Sequence, residues 1–104
     1  ANLSGLIAVS PISTEIPISF ALHQNYPNPF NPVTKIRFDL PKSSFTNIVV
    51  YDALGREIKT IFSQSLGAGV YETSFDATNL TSGVYFYKIT AGDYSETKKM
   101  LIVK

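Results

Sequence analysis

From residue 33 onward, apolar and polar side chains alternate with a period of two, and no eleven-residue window carries the 3.6-residue stripe of an amphipathic helix. Val33-Thr-Lys-Ile36-Arg-Phe38-Asp-Leu40 puts Ile36, Phe38 and Leu40 on one face, and Pro41 ends the run. Phe45-Thr-Asn-Ile48-Val49-Val50-Tyr51 is β-branched and aromatic and predicts a more deeply buried strand. Asp52-Ala-Leu-Gly55 predicts a turn, with an Asp whose side chain accepts from backbone N–H and a Gly at the closing position. Glu57–Phe62 is the return strand, Ser63–Gly69 a loop, and Val70–Asp76 the next strand. Ala77–Gly83 connects to Val84–Thr90, and a turn at Ala91-Gly92-Asp93 leads to a last strand over Ser95–Val103.

The first third of the chain differs. Residues 1–34 hold one acidic residue, Glu15, no Lys or Arg, and the prolines Pro11, Pro17, Pro27, Pro29 and Pro32. Proline lacks an N–H and fixes φ, which excludes a helix or a central strand here. Residues 1–17 read as an extended linker, and 18–104 as the domain. Ile18-Ser-Phe20-Ala-Leu22 alternates and predicts a short edge strand. Six strands and this edge strand, joined by turn signals, indicate an all-β antiparallel sandwich of about seven strands. A closed barrel of that many strands fits less well, because it leaves little chain for the linker.

Composition narrows the function classes. A chain of 104 residues and 11.4 kDa is one domain. Such a domain buries roughly 65% of its unfolded surface, enough for a core without staples. With 44% apolar and 16% charged residues it is not a disordered chain. A net charge of +1 without a basic stripe argues against nucleic-acid binding. With no cysteine there is no disulfide and no thiolate chemistry. No apolar run approaches the roughly 20 residues of a membrane span. The N-terminus lacks the basic-then-apolar order of a signal peptide; if the domain is exported, its export signal lies on an upstream segment.

Within Leu80-Thr-Ser-Gly83-Val-Tyr85-Phe-Tyr87 the arrangement predicts a tyrosine corner, in which Tyr85 bonds back to backbone a few residues upstream. Tyr87 then stands where immunoglobulin domains carry their second cysteine. The alternative at this segment is an ordinary Gly-started strand with an aromatic core; a corner sharpens the sandwich reading.

Groups suited to catalysis are few. His23 is the only histidine and has no carboxylate or nucleophile nearby in sequence. Asp52 and Asp76 follow strands, and loop carboxylates of that kind suit calcium. There is no Asp-x-Asp spacing, however, and a turn-capping Asp is the commoner role. A carbohydrate-binding module would need exposed rings among the 7 Phe and 6 Tyr. Strand spacing instead puts Tyr85 and Tyr87 on one face, Phe86 on the other, and most rings in the core. Gly67-Ala-Gly69 precedes a strand and so lacks the helix N-terminus of a phosphate loop. Asn2-Leu-Ser4 and Asn79-Leu-Thr81 match the glycosylation sequon, a pattern common by chance. No cofactor is implied.

The densest motif is Gln24-Asn25-Tyr26-Pro27-Asn28-Pro29-Phe30-Asn31-Pro32. Its prolines make a stiff extended or turned segment. Tyr26 and Phe30 are expected to plug apolar gaps at the sandwich end. The segment serves either as a clamp tying the linker to the first strand or as a preorganised surface for another protein.

This motif, together with Thr34-Lys-Ile36-Arg-Phe38-Asp-Leu40-Pro41, Val50-Tyr51-Asp52-Ala-Leu54-Gly55-Arg56, Ser82-Gly83-Val84-Tyr85-Phe86-Tyr87 and Lys98-Lys99-Met100, resembles the type A C-terminal sorting domain of the type IX secretion system. The similarity runs from about Phe20 to Lys104 and extends to the immunoglobulin-like domain of flagellar hook-capping proteins. Val33 stands where Thr is frequent, and Phe75-Asp76 where Trp-Asp is frequent.

The resemblance implies a domain that ends a larger secreted protein, often a glycosidase or peptidase, of Bacteroidetes-type bacteria. It implies an outer-membrane translocon that reads the domain and a sortase-like peptidase that removes it. The parent is then released or joined to the cell surface. Gly83 and Tyr85 match the family's Gly-x-Tyr segment, and Lys98, Lys99, Met100 and Lys104 its basic last strand; these are the recognition residues the resemblance suggests. The alternative reading is a non-catalytic carbohydrate-binding or structural module appended to a secreted enzyme.

Overall fold

Alternation in the sequence becomes alternation in burial. In the computed structural model, which describes residues 9–13 and 15–104, the run Val33–Leu40 is a strand with Thr34, Ile36, Phe38 and Leu40 buried and Val33, Lys35 and Arg37 exposed. Eight strands form: β1 (Val9–Ser13), β2 (Ala21–Leu22), β3 (Val33–Leu40), β4 (Ser44–Asp52), β5 (Glu57–Leu66), β6 (Gly69–Asp76), β7 (Gly83–Ala91) and β8 (Tyr94–Ile102). They make two antiparallel sheets of four strands. The first has the order β1-β6-β3-β2, the second β5-β4-β7-β8. The pairing of β3 with β6 and of β4 with β7 requires chain crossings between the sheets, as in immunoglobulin-like sandwiches.

The inner faces pack against each other. Ile36, Phe38, Leu40 and Phe75 from the first sheet meet Ile48, Val50, Tyr87, Ile89, Met100 and Ile102 from the second, all at most 2% exposed. The Phe38 ring stacks on both Phe62 and Tyr71, with centroids 5.5 Å away in each case. Phe30 meets the Phe75 ring edge-on at 6.3 Å.

Three expectations change. Val9–Ser13 lies in the segment read as linker, yet it pairs with β6 and buries Val9 to 3% exposure. An edge strand bonds on one side only, so Pro11 costs it little. Residues 1–8, including the Asn2-Leu-Ser4 sequon, and Thr14 lie outside the described residues. The edge strand expected from Ile18 begins at Ala21, because only Ala21 and Leu22 face β3, while Ile18 is 100% exposed. Finally, β5 runs on through the predicted loop to Leu66, with Ser63, Gln64 and Ser65 opposite Asn47, Thr46 and Phe45. Their polarity reflects an exposed edge, not a loop. Two bulges, at Ile58 and Ile61, twist this edge strand relative to β4.

Candidate functional site

The proline motif closes one side of the sandwich. Asn25, 2% exposed, gives its Nδ2 to the Thr34 hydroxyl (3.0 Å) and to the Pro27 carbonyl (3.1 Å), and the Thr34 hydroxyl donates to the same carbonyl at 2.8 Å. The Asn25 N–H donates to the Tyr87 hydroxyl, which itself donates to the His23 carbonyl, both at 2.7 Å. Tyr87 belongs to the second sheet and His23–Asn25 leads into the first, so one phenol ties the two sheets where immunoglobulin domains place a disulfide. Burial pushes the Tyr87 phenol up to about 12, with the Asn25 N–H acting in the opposite direction.

The same motif then caps the outer edge of the last strand. Gln24 Nε2 donates to Lys99 O at 2.7 Å, and Leu101 N donates to Asn28 Oδ1 at 3.0 Å. Phe30 bridges β8 in parallel: its N–H donates to Leu101 O (3.1 Å) and its carbonyl accepts from Val103 N (3.0 Å). The Phe30 ring is core, as expected, at 3% exposure. Tyr26 is not; its backbone pairs with Lys35, which turns the ring to the outer side of the first sheet, 81% exposed. The bonds Tyr26-Pro27, Asn28-Pro29 and Asn31-Pro32 are cis, and the Pro32 carbonyl accepts from Ala77 N at 2.8 Å.

Bonds to Lys99, Leu101 and Val103 show that odd-numbered residues of β8 turn their backbone groups outward. The clasp covers the C-terminal half of that edge. The outward groups of Ser95 and Thr97 have no partner among the described residues.

The tyrosine corner is present. Tyr85 Oη donates to Thr81 O at 2.9 Å. A second corner, not among the sequence expectations, has Tyr71 Oη donating to Gly67 O at 2.8 Å. Its signal was available: Gly69-Val70-Tyr71 repeats Gly83-Val84-Tyr85. Both leading glycines have positive φ, +156° and +149°, which disfavours any L side chain. A Cβ at Gly83 would meet nothing within 4 Å, so conformation and not space selects glycine there.

The suggested recognition residues separate into two groups. Met100 is wholly buried and the Tyr85 ring is 7% exposed, so both hold shape and are closed to a partner meeting the folded domain. Lys98 lies half-buried against Glu96 (3.4 Å), whereas Lys99 is exposed. Lys104 is exposed and returns to the corner loop, its N–H to Ser82 Oγ (3.0 Å) and its Nζ to Thr78 O (2.6 Å). Beside them, burial and the neighbouring Glu96 carboxylate push Tyr94 up to about 12. The Tyr94 hydroxyl in turn holds Glu96 below its ordinary value.

Asp52 and Asp76 cap turns. Asp52 Oδ1 accepts from Leu54 N and Arg56 N, both at 2.9 Å, and Gly55 N closes the turn on Asp52 O at 3.0 Å. The Arg56 backbone N–H is the main cause of its lowered pKa, and the Arg56 guanidinium adds to it from 2.7 Å. Asp76 is lowered by the Thr78 hydroxyl first and the Thr78 N–H second. Among the described residues, no three carboxylate, histidine or cysteine side chains gather as a metal cage. His23 Nε2 lies 3.1 Å from Asp39 Oδ1, a carboxylate sixteen residues away in sequence.

These features define an immunoglobulin-like sandwich whose N-terminal proline arm is hydrogen-bonded to its last strand. The family model described as the secretion system C-terminal sorting domain matches residues 24–104, from the first residue of that clasp to Lys104. The chain belongs to this family, the C-terminal sorting domains of type IX secretion. No curated protein and no solved structure matches the chain. No helix among the described residues is long and apolar enough to cross a membrane.

Proposed function

We propose that the domain directs a larger protein, to which it is joined through its N-terminal segment, across the outer membrane by the type IX translocon. The parent reaches the periplasm by its own export signal. A sortase-like peptidase then removes the domain, and the parent is released or anchored at the surface. The domain carries no reaction of its own and acts as a folded address.

One observation carries this reading. The family match covers both the clasp and the last strand, and these two stretches, far apart in sequence, are hydrogen-bonded to each other. A partner would therefore meet a preorganised last strand, which lowers the ordering cost of recognition. A carbohydrate-binding platform is less well supported. The two most exposed rings, Tyr26 at 81% and Phe45 at 58%, stand on opposite sheets and cannot form one row.

Fusing all 104 residues to the C-terminus of a periplasmic reporter, in a host with the type IX machinery, tests the proposal. Export of the fusion, with the unfused reporter retained, is the expected result. A fusion that stays in the periplasm as a folded protein contradicts it. A carbohydrate-binding role would appear instead as retention of the purified domain on a polysaccharide column, lost on Tyr26→Ala.

A further inference from the structure

The outer side of the second sheet sets apolar side chains beside lysines that have no ion partner among the described residues. Strand alternation places Val49 and Tyr51 of β4, Val84, Phe86 and Lys88 of β7, and Lys99 and Leu101 of β8 on this side. Register makes them neighbours: Tyr51 lies opposite Phe86, Phe86 opposite Lys99, Val49 opposite Lys88, and Val84 opposite Leu101. Lys88 and Lys99 are therefore diagonal neighbours on adjacent strands, a spacing of roughly 7–8 Å at which like charges repel. Neither forms an ion pair among the described residues. At the level of Lys99 the carboxylate on the sheet is Glu57 of β5, beyond β7 and β4, roughly 14 Å off by strand spacing.

Next to this pair is a groove of about 230 Å³ between the proline arm and the sheet, bounded by Pro29, Val84 and Leu101 and rimmed by Lys99. An apolar surface with a built pocket and two uncompensated cations fits a ligand that is apolar and anionic together. Two lysines supply only about 1 kcal/mol each toward an anionic bilayer, too little for stable docking there. A protein segment meets both demands on the scale of this surface.

We propose that this face docks an extended acidic segment of a protein of the export machinery, with one apolar side chain in the Pro29–Leu101 groove and carboxylates on Lys88 and Lys99. This rests on the sorting function above and names the surface that is read.

The test compares fusions of the whole chain to a periplasmic reporter in a type IX host. Lys88→Glu with Lys99→Glu is expected to lower the exported fraction roughly tenfold, the effect of about 1.4 kcal/mol of lost binding. Lys88→Arg with Lys99→Arg, and the reversal Lys35→Glu with Arg37→Glu on the other sheet, are expected to export like the parent fusion. The purified double Glu variant is expected to keep its Tm, which separates docking from folding. Equal export of the double Glu variant overturns the inference while leaving the sorting function intact. Retention of the unmodified fusion overturns both. Sedimentation of the purified chain with anionic phospholipid vesicles, lost in the double Glu variant, would assign the lysines to a membrane and overturn the protein partner.

Discussion

On the outer side of the first sheet, Lys35, Arg37 and Asp39 of β3 stand beside Glu72 and Asp76 of β6. Lys35 pairs with Glu72 at 3.7 Å and Asp39 meets His23, while Arg37, opposite Glu72 in register, forms no ion pair among the described residues. On the outer side of the second sheet, Val49, Tyr51, Val84, Phe86 and Leu101 surround two lysines with no ion partner among the described residues. Each sheet buries an inner row of apolar side chains, so the core does not dictate this difference. Exposed apolar side chains stand on both outer faces, Tyr26 and Val33 on the first and Val84 and Leu101 on the second, so the difference lies in the unpaired lysines of the second. Charge pairing, not apolar exposure, is what separates the two faces.

Both faces depend on the sheets staying locked together, and the largest predicted effect removes the lock. Tyr87→Phe leaves the Asn25 N–H and the His23 carbonyl without their shared partner and should cost about 2–4 kcal/mol. Urea unfolding measures it; a loss under about 0.5 kcal/mol would mean that the phenol is not the tie.

Titration gives the next effect. Asp52, Asp76 and Glu96 bind protons more weakly folded than unfolded. Their contribution is therefore full above their ordinary values of 3.8 and 4.5 and is lost as pH falls through the lower folded ones. Tyr87 and Tyr94 bind protons more tightly folded, so their contribution is full below the ordinary value of 10.0 and is lost as pH rises toward about 12. Thermal unfolding should show a Tm plateau between these limits. Tyr87→Phe should weaken the alkaline decline, and an unchanged alkaline limb would remove the phenol from the account.

Two smaller effects sharpen the contrast between the faces. Lys99→Glu creates an opposite-charge diagonal with Lys88 and should stabilise the isolated domain by about 0.2–0.5 kcal/mol while reducing export. Stability and function would then move in opposite directions, which an ordinary solvated face would not show. A double-mutant cycle on Lys35 and Glu72 should give a coupling of about 0.5 kcal/mol or less, with export unaffected. Loss of export in that cycle would make the first sheet the face that is read.

Much of this was legible because β-structure writes itself as alternation. Val33–Leu40 formed with the predicted bounds, and the corner at Tyr85 followed from the spacing of Leu80–Tyr87. The parts that escaped are those where edges relax the pattern. Val9–Ser13 holds a proline and β5 ends in Ser63-Gln-Ser-Leu66, and neither looks like a strand without its partner in view. Within the site, the residues of the proline arm were visible as a motif, but their bonds to Lys99, Leu101 and Val103 span more than seventy residues. No local periodicity reports such a contact. The spacing from Tyr85 puts Tyr87 at the cysteine position, but its hydrogen bonds reach His23 and Asn25, more than sixty residues away. The asymmetry of the two outer faces needed the strand register, since Lys88 and Lys99 become neighbours only through the pairing of β7 with β8.

The most direct measurement is the fraction of a reporter fused to the whole chain that crosses the outer membrane in paired strains, one with the type IX translocon and one without it. The account predicts reporter in the medium or on the cell surface in the first strain and full retention in the periplasm in the second. The same distribution in both strains would contradict it.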